Sequence, residues 1–258
     1  MANSGVVVPL NSKISCDRCG VKQSCLGRDL HACEPARLGE IKGPPRLYRR
    51  GDHLFRVGDS FESLYVIRSG AIKTYLISED GEEQIIGFYG PGETIGFGAI
   101  ANGQYRCNAT ALDTSSICKV SFEAVSRLCD RSPDTLRELI RDISAETVRL
   151  AEMMLLLGKK TADQRVASFL LSQSGHQHER GYSATALTLS MSRADIGRYL
   201  GLTVETVSRV LTRFQAQGAL TKDRKQIRIR NLKTLQRIVG ESGGDVFIEP
   251  TGRTTLAS

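Results

Sequence analysis

With 258 residues, 40% of them apolar, the chain is long enough for two domains with ordinary cores, and no run of 18 apolar residues suggests a membrane span. The formal charge of +7 is unevenly placed: from Arg193 to Arg237 eleven Lys and Arg face three acids, so this segment carries +8 and the rest of the chain about −1. A basic end on a near-neutral body is the footprint of a nucleic-acid module, with a merely solvated basic face as the plainer alternative.

Met1 to Leu10 lacks a cationic region ahead of its short apolar run and does not read as a signal peptide, so a cytosolic protein with reduced thiols is expected. Residues 1–42 hold four of the seven cysteines and little periodicity, so something other than a core must order them. From about Arg46 short β-type runs (Leu64 to Ile67, Ala71 to Ile77, Gln84 to Phe88) alternate with turn glycines, the pattern of an antiparallel roll over residues 43–131 whose strands end near Phe122. Asp80-Gly81 is a hairpin signal between two of these strands.

Ser132-Pro133-Asp134 opens a long helix over 132–160, with the serine suited to the cap, the proline to the first turn and the acid to the positive helix end. Leu136, Ile140, Ile143, Thr147, Leu150, Met154 and Leu157 follow at alternating spacings of four and three, an a/d seam that predicts a two-chain coiled coil, with a single buried helix as the plainer alternative. Leu139, Val148, Met153, Leu155 and Leu156 add a second apolar surface, expected to face the chain's own roll. A further helix is expected from Thr161 to Ser174, then a polar loop at His176-Gln177-His178-Glu179 that reads as solvated rather than metal-binding.

Ser192 caps the next helix, with Asp195 as its capping-box partner. Gly201 then turns the chain into a second helix. There Glu205, Ser208 and Arg209 share the exposed face, while Val207, Val210, Leu211 and Phe214 take the other. This is the pattern of a helix-turn-helix recognition helix that reads the DNA major groove. Arg209 suits a guanine edge, Glu205 a cytosine amino group and Ser208 a base edge or methyl. Thr203, Arg213 and Lys225 complete the expected DNA contacts. Ala219 to Thr221 and Gln226 to Arg230 flank the basic stretch Lys222 to Lys225 as the wing of a winged helix, in a domain over 161–239. The tail over 240–258 is Gly/Thr/Ser-rich and reads as disordered.

Cys16, Cys19 and Cys25 lie close enough in sequence to converge on one soft metal centre, one ligand short of the four that zinc or an iron–sulfur cluster takes. The fourth can come from Cys33, Cys107, Cys118 or Cys129, and the spacing fits zinc nearly as well as iron and sulfur. No nucleophile–base motif, phosphate loop or HExxH stands in the chain, so it does not read as an enzyme.

The order of N-terminal cysteines, roll, heptad helix and winged helix resembles the Crp/Fnr superfamily of bacterial regulators, and its oxygen-sensing Fnr/Anr-like branch in particular. Leu64 to Gly70, Leu155 to Lys160, Asp195 to Arg209 and the cysteine spacing carry the resemblance. It implies an α+β chain: a cyclic-nucleotide-binding-like jelly roll, a dimerisation helix and a winged helix-turn-helix. It also implies a homodimeric activator, not an enzyme, with a [4Fe–4S] cluster on Cys16, Cys19, Cys25 and Cys118. Oxygen would convert the cluster and weaken dimerisation, and the DNA site would be a palindrome of TTGAT half-sites. By the same resemblance the acidic hairpin Glu79, Asp80, Glu82 and Glu83 matches a loop that touches RNA polymerase. The cyclic-nucleotide branch is the competitor. Glu93 and Arg106 partly echo its pocket, but Cys107 stands where that branch has a serine, and Val204 and Ser208 where it has an arginine and a glycine.

Overall fold

The structure is a computed structural model that describes residues 19–21, 25–26 and 43–240. Cys16, Cys33 and the tail from 241 lie outside the described residues. The chain divides into two compact units, Met1–Ile72 with Tyr89–Ile140 and Lys73–Phe88 with Arg141–Ser258.

Among the described residues eight strands precede the first α-helix: β1 (Arg46–Tyr48), β2 (His53–Phe55), β3 (Ser63–Ser69), β4 (Ile72–Ile77), β5 (Glu83–Tyr89), β6 (Thr94–Ile95), β7 (Asn108–Ala111) and β8 (Ser115–Ser121). In the first unit β1, β8, β3 and β6 form an antiparallel sheet in that order, and β2 pairs with β7. The longest ladder joins β3 to β8, from Ser63↔Ser121 to Ser69↔Ser116, and sets Cys118 opposite Val66. Leu64, Tyr65, Val66 and Ile67 are all buried, so β3 is covered on both faces, which explains its unbroken apolar run. Inside the roll Phe55 stacks on Tyr105 with centroids 3.9 Å apart, and Tyr65 lies 5.5 Å from Phe55. The buried Tyr105 hydroxyl donates to the Ser63 carbonyl at 2.5 Å, and burial beside Tyr65 pushes its pKa well above the ordinary phenol value. Aromatic side chains thus fill this part of the roll.

Helix α1 (Phe122–Cys129) was not expected from the sequence. It is capped by Ser121, which accepts from the Ala124 amide, and paired by Glu123 and Arg127. Helix α2 (Pro133–Lys159) runs from the first unit into the second. Its sequence-expected seam is bare in the single chain: Leu136, Ile140, Leu150 and Met154 are exposed, Ile140 to 54% and Met154 to 76%, while Ile143 and Leu157 are half-buried. The expected second apolar surface holds only in part. Leu139 is buried and Met153 and Leu156 are half-buried, but Val148 and Leu155 are exposed beside the seam and widen it.

In the second unit β4 and β5 form a hairpin whose turn has Gly81 at φ 83°. Helix α3 (Ala162–Glu179) starts on a capping box of Thr161 and Gln164 and corrects the expected polar loop, because His176 to Glu179 form its last turn. Polar residues there mark a helix end rather than a break. Strand β9 (Ala186–Thr188), helix α4 (Arg193–Leu200), helix α5 (Val204–Ala216), strands β10 (Leu220–Asp223) and β11 (Gln226–Ile229) and helix α6 (Leu232–Gly240) follow among the described residues, with the three strands in the order β10-β11-β9.

Tyr105→Phe is expected to keep the fold while removing the donor from a buried carbonyl, lowering the unfolding free energy by about 1–2 kcal/mol. Denaturant titration followed by circular dichroism checks this.

Candidate DNA-reading surface and cysteine site

The turn between α4 and α5 is set by close backbone approach. A Cβ on Gly197 would lie 2.5 Å from the Leu202 carbonyl oxygen, so only glycine lets the turn fold back onto α4. Gly201, at φ 61°, ends α4 in the left-handed conformation, and its amide and that of Leu202 both donate to the Gly197 carbonyl. At the other end of α4 the Ser192–Asp195 capping box is complete: the Ser192 hydroxyl accepts from the Asp195 amide and donates to its carboxylate at 2.6 Å. Burial alone would raise the Asp195 pKa. The hydrogen bonds from Ser192 and the Lys73 ammonium outweigh it and hold the carboxyl below the usual value, so it stays charged at neutral pH.

Helix α5 buries Val207, Val210, Leu211 and Phe214, as the spacing requires. Glu205 and Arg209 stand exposed together on the opposite face, with Ser208 half-buried beside them. Thr203 is exposed at the start of α5, and its side chain caps the helix by accepting from the Thr206 amide at 3.2 Å. Arg209 donates to the Thr206 hydroxyl at 3.2 Å, and Arg213 is drawn into an ion pair with Asp163 at 3.1 Å. In the wing, Lys225 is exposed in the two-residue turn next to Arg224, whose φ of 48° is unusual for a side-chain-bearing residue. Arg193 reaches from the start of α4 to the Arg224 carbonyl at 3.5 Å, and Lys222 donates to Thr212 of α5 at 2.7 Å. Sequence reasoning missed these two braces. A basic residue across a hairpin from a recognition helix is their only trace in the sequence. Arg165 is a third brace: its guanidinium donates to the carbonyls of Leu157, Lys160 and Leu200, tying the last turn of α2 and the residue after it to the end of α4.

The acidic hairpin splits in two. Glu79, Asp80 and Glu82 are exposed in the turn, where Ser78 hydrogen-bonds to Asp80 and lowers its pKa. Glu83 instead pairs with Lys73 at 2.9 Å and Arg198 at 3.3 Å and is committed within the chain. Glu93 accepts from the Gly90 amide at 2.6 Å and so closes its own turn.

Cys19, Cys25, Cys107, Cys118 and Cys129 are thiols rather than disulfides. Cys25 is buried, and Cys19 and Cys118 are half-buried, the latter in mid-strand on β8. Among the described residues no three His, Cys, Asp or Glu side chains are close enough together to hold a metal ion. The thiols suit a soft metal chemically, but Cys19, Cys25 and Cys118 are not gathered into a ligand set.

Residues 45–132 match the cyclic nucleotide-binding domain and residues 164–238 the Crp-like helix-turn-helix domain. The transcriptional activator protein Anr of Pseudomonas protegens is 41% identical over 232 residues, covering 90% of this chain and 95% of that protein. The chain belongs to the Crp/FNR family. The fumarate and nitrate reduction regulatory protein of Escherichia coli K12 is likewise 41% identical, over 89% of this chain and 92% of its own length. Among solved structures, FixK2 of Bradyrhizobium japonicum superposes with a TM-score of 0.71 at 32% identity, covering 77% of this chain and 97% of that one. A CooA mutant of Carboxydothermus hydrogenoformans, at 17% identity and TM-score 0.67, shares the fold. This member of the Crp/FNR family is a DNA-binding transcription regulator of the FNR branch.

Two surface substitutions separate base reading from phosphate contact. On a duplex selected by the wild-type protein, Arg209→Ala is expected to cost about 1–3 kcal/mol per half-site and to relax preference at one base pair. Lys225→Ala is expected to weaken binding to all sequences alike and to flatten the salt dependence by about one charge per chain. Binding isotherms on single-base variants at several salt concentrations check both, and an equal loss on every variant in Arg209→Ala would remove α5 as the reading helix.

Proposed function

We propose that this regulator senses oxygen through a [4Fe–4S] cluster held by Cys16, Cys19, Cys25 and Cys118, and that the cluster controls a homodimer that binds palindromes of TTGAT half-sites. The observation that carries the dimer is the bare apolar seam of α2, widened by Val148 and Leu155, which a second copy of the same helix would cover. Four soft thiols with the Cys16/Cys19/Cys25 spacing, and similarity to proteins named as fumarate and nitrate reduction regulators, support the cluster. Bound, the cluster would supply an oxygen-labile centre. The residues of this chain then do the rest. The seam from Leu136 to Leu157 sets the monomer–dimer balance, and Glu205, Ser208 and Arg209 read the half-site. If losing the cluster costs the dimer about 2.7 kcal/mol, its association constant falls about a hundredfold. A regulator of chromosomal DNA works in the cytoplasm, and Glu79, Asp80 and Glu82, exposed in the hairpin turn, are the residues offered to RNA polymerase for activation.

Iron and sulfide assay with an absorption spectrum, taken on anaerobically purified protein before and after air, tests the cluster. Stoichiometric iron and sulfide with a visible band that bleaches in air is expected. A colourless zinc protein would contradict it. Cys118→Ser is expected to lose the cluster, whereas Cys33→Ser, Cys107→Ser and Cys129→Ser keep it.

Ile143→Glu tests the seam separately. It would place a charge at a mirrored, partly buried position, so anaerobic sedimentation is expected to return a monomer. A dimer of normal affinity would refute the seam.

A further inference from the structure

In the second unit the β4–β5 hairpin grips both ends of helix α4. At the N-terminal end, Lys73 of β4 lies 3.2 Å from Asp195 and 2.9 Å from Glu83 of β5, and the Lys73 and Asp195 side chains are only 12% and 10% exposed. The other oxygen of Asp195 accepts from the amide and the hydroxyl of Ser192, so one carboxylate joins the helix cap to the hairpin lysine. At the C-terminal end Gln84 donates to the Arg198 carbonyl at 2.7 Å, and the Arg198 guanidinium lies 3.3 Å from Glu83. Beside these polar contacts the Phe88 ring packs 4.9 Å from Tyr199 of α4 and 6.2 Å from Phe169 of α3.

Ion pairs as shielded as Lys73–Asp195 are costly to break by removing one partner, because the other charge stays behind. They also fix direction, which the apolar contacts of Phe88 alone do not. Helix α4 in turn carries α5 through the close turn at Gly197 and Leu202, where the two backbones touch and the Leu202 amide donates to the Gly197 carbonyl at 2.9 Å. A displacement of the hairpin against α4 would therefore be passed to the recognition helix. We infer that the β4–β5 hairpin is a clamp on the DNA-reading helices, and that Lys73, Glu83 and Gln84 are positioning residues that set how α5 is presented to the major groove. They act through Asp195 and the end of α4 and need no contact with DNA.

The test compares the wild-type chain with Lys73→Met, Lys73→Arg and Gln84→Ala, all anaerobic and at concentrations giving the same dimer fraction by sedimentation. Affinity is measured both for the duplex selected by the wild-type protein and for an unrelated duplex. Lys73→Met and Gln84→Ala are expected to lose about tenfold in affinity for the selected duplex while binding the unrelated one unchanged, because phosphate attraction tolerates a tilted helix and base contacts do not. Lys73→Arg is expected to recover most of the loss. Gln84 is exposed, so its alanine variant remains folded should Lys73→Met fail to fold. Equal loss on both duplexes would mean that the hairpin only stabilises the unit, and unchanged affinity in folded Gln84→Ala and Lys73→Met would mean that α4 holds its place without it. Either result overturns the clamp.

Discussion

The proposed assembly depends on a helix face left in water. Leu136, Ile140, Leu150 and Met154 line one side of α2 and are exposed in the single chain. Each large aliphatic side chain moved out of water contributes about 1.5–3 kcal/mol. A sustained four–three spacing is the geometry that another helix of the same sequence can match. The proposed dimer follows from that face, and so does the proposed control, since anything that biases a marginal helix pair changes how many paired recognition helices exist at a given concentration. Two chains related by a two-fold axis would present α5 to major grooves about 34 Å apart.

The DNA-reading end, by contrast, is built to be rigid. Thr203 and Ser192 cap the two helices, Gly197 and Gly201 make the turn between them tight, and Arg165 fastens the end of α2 to the end of α4. Lys222 and Arg193 tie the wing to the same helices. Helix caps and carbonyl-bound guanidinium groups are individually worth about a kcal/mol, but together they leave the exposed pair Glu205 and Arg209 on a surface with little freedom to shift. Preorganisation of this kind limits the ordering cost of binding.

Much of this was legible in the chain because it is carried by local rules. The Ser192–Asp195 capping box, the glycine turn, the α5 spacing and the heptad seam are read within a few residues of one another. What was not legible depends on partners far apart in sequence or on small margins. Helix α1 is eight residues long and rich in residues that also suit strands. The polar run His176 to Glu179 continues a helix because nothing in it breaks one. Val148 and Leu155 satisfy the apolar pattern of a covered face, yet nothing in their own sequence says whether the chain supplies the cover. Glu83 looks like its acidic neighbours in the turn until Lys73 and Arg198 are placed beside it. The ion pair of Lys73 with Asp195 spans 122 positions and leaves no periodic trace.

In the proposed assembly two copies joined along α2 read DNA together, and the stoichiometry of the anaerobic complex is the test. Sedimentation of the wild-type protein with a labelled TTGAT palindrome should give two chains per duplex, assembling with a second-order dependence on protein concentration, and a single half-site should bind far more weakly. One chain per duplex, with a half-site bound as tightly as the palindrome, would contradict it.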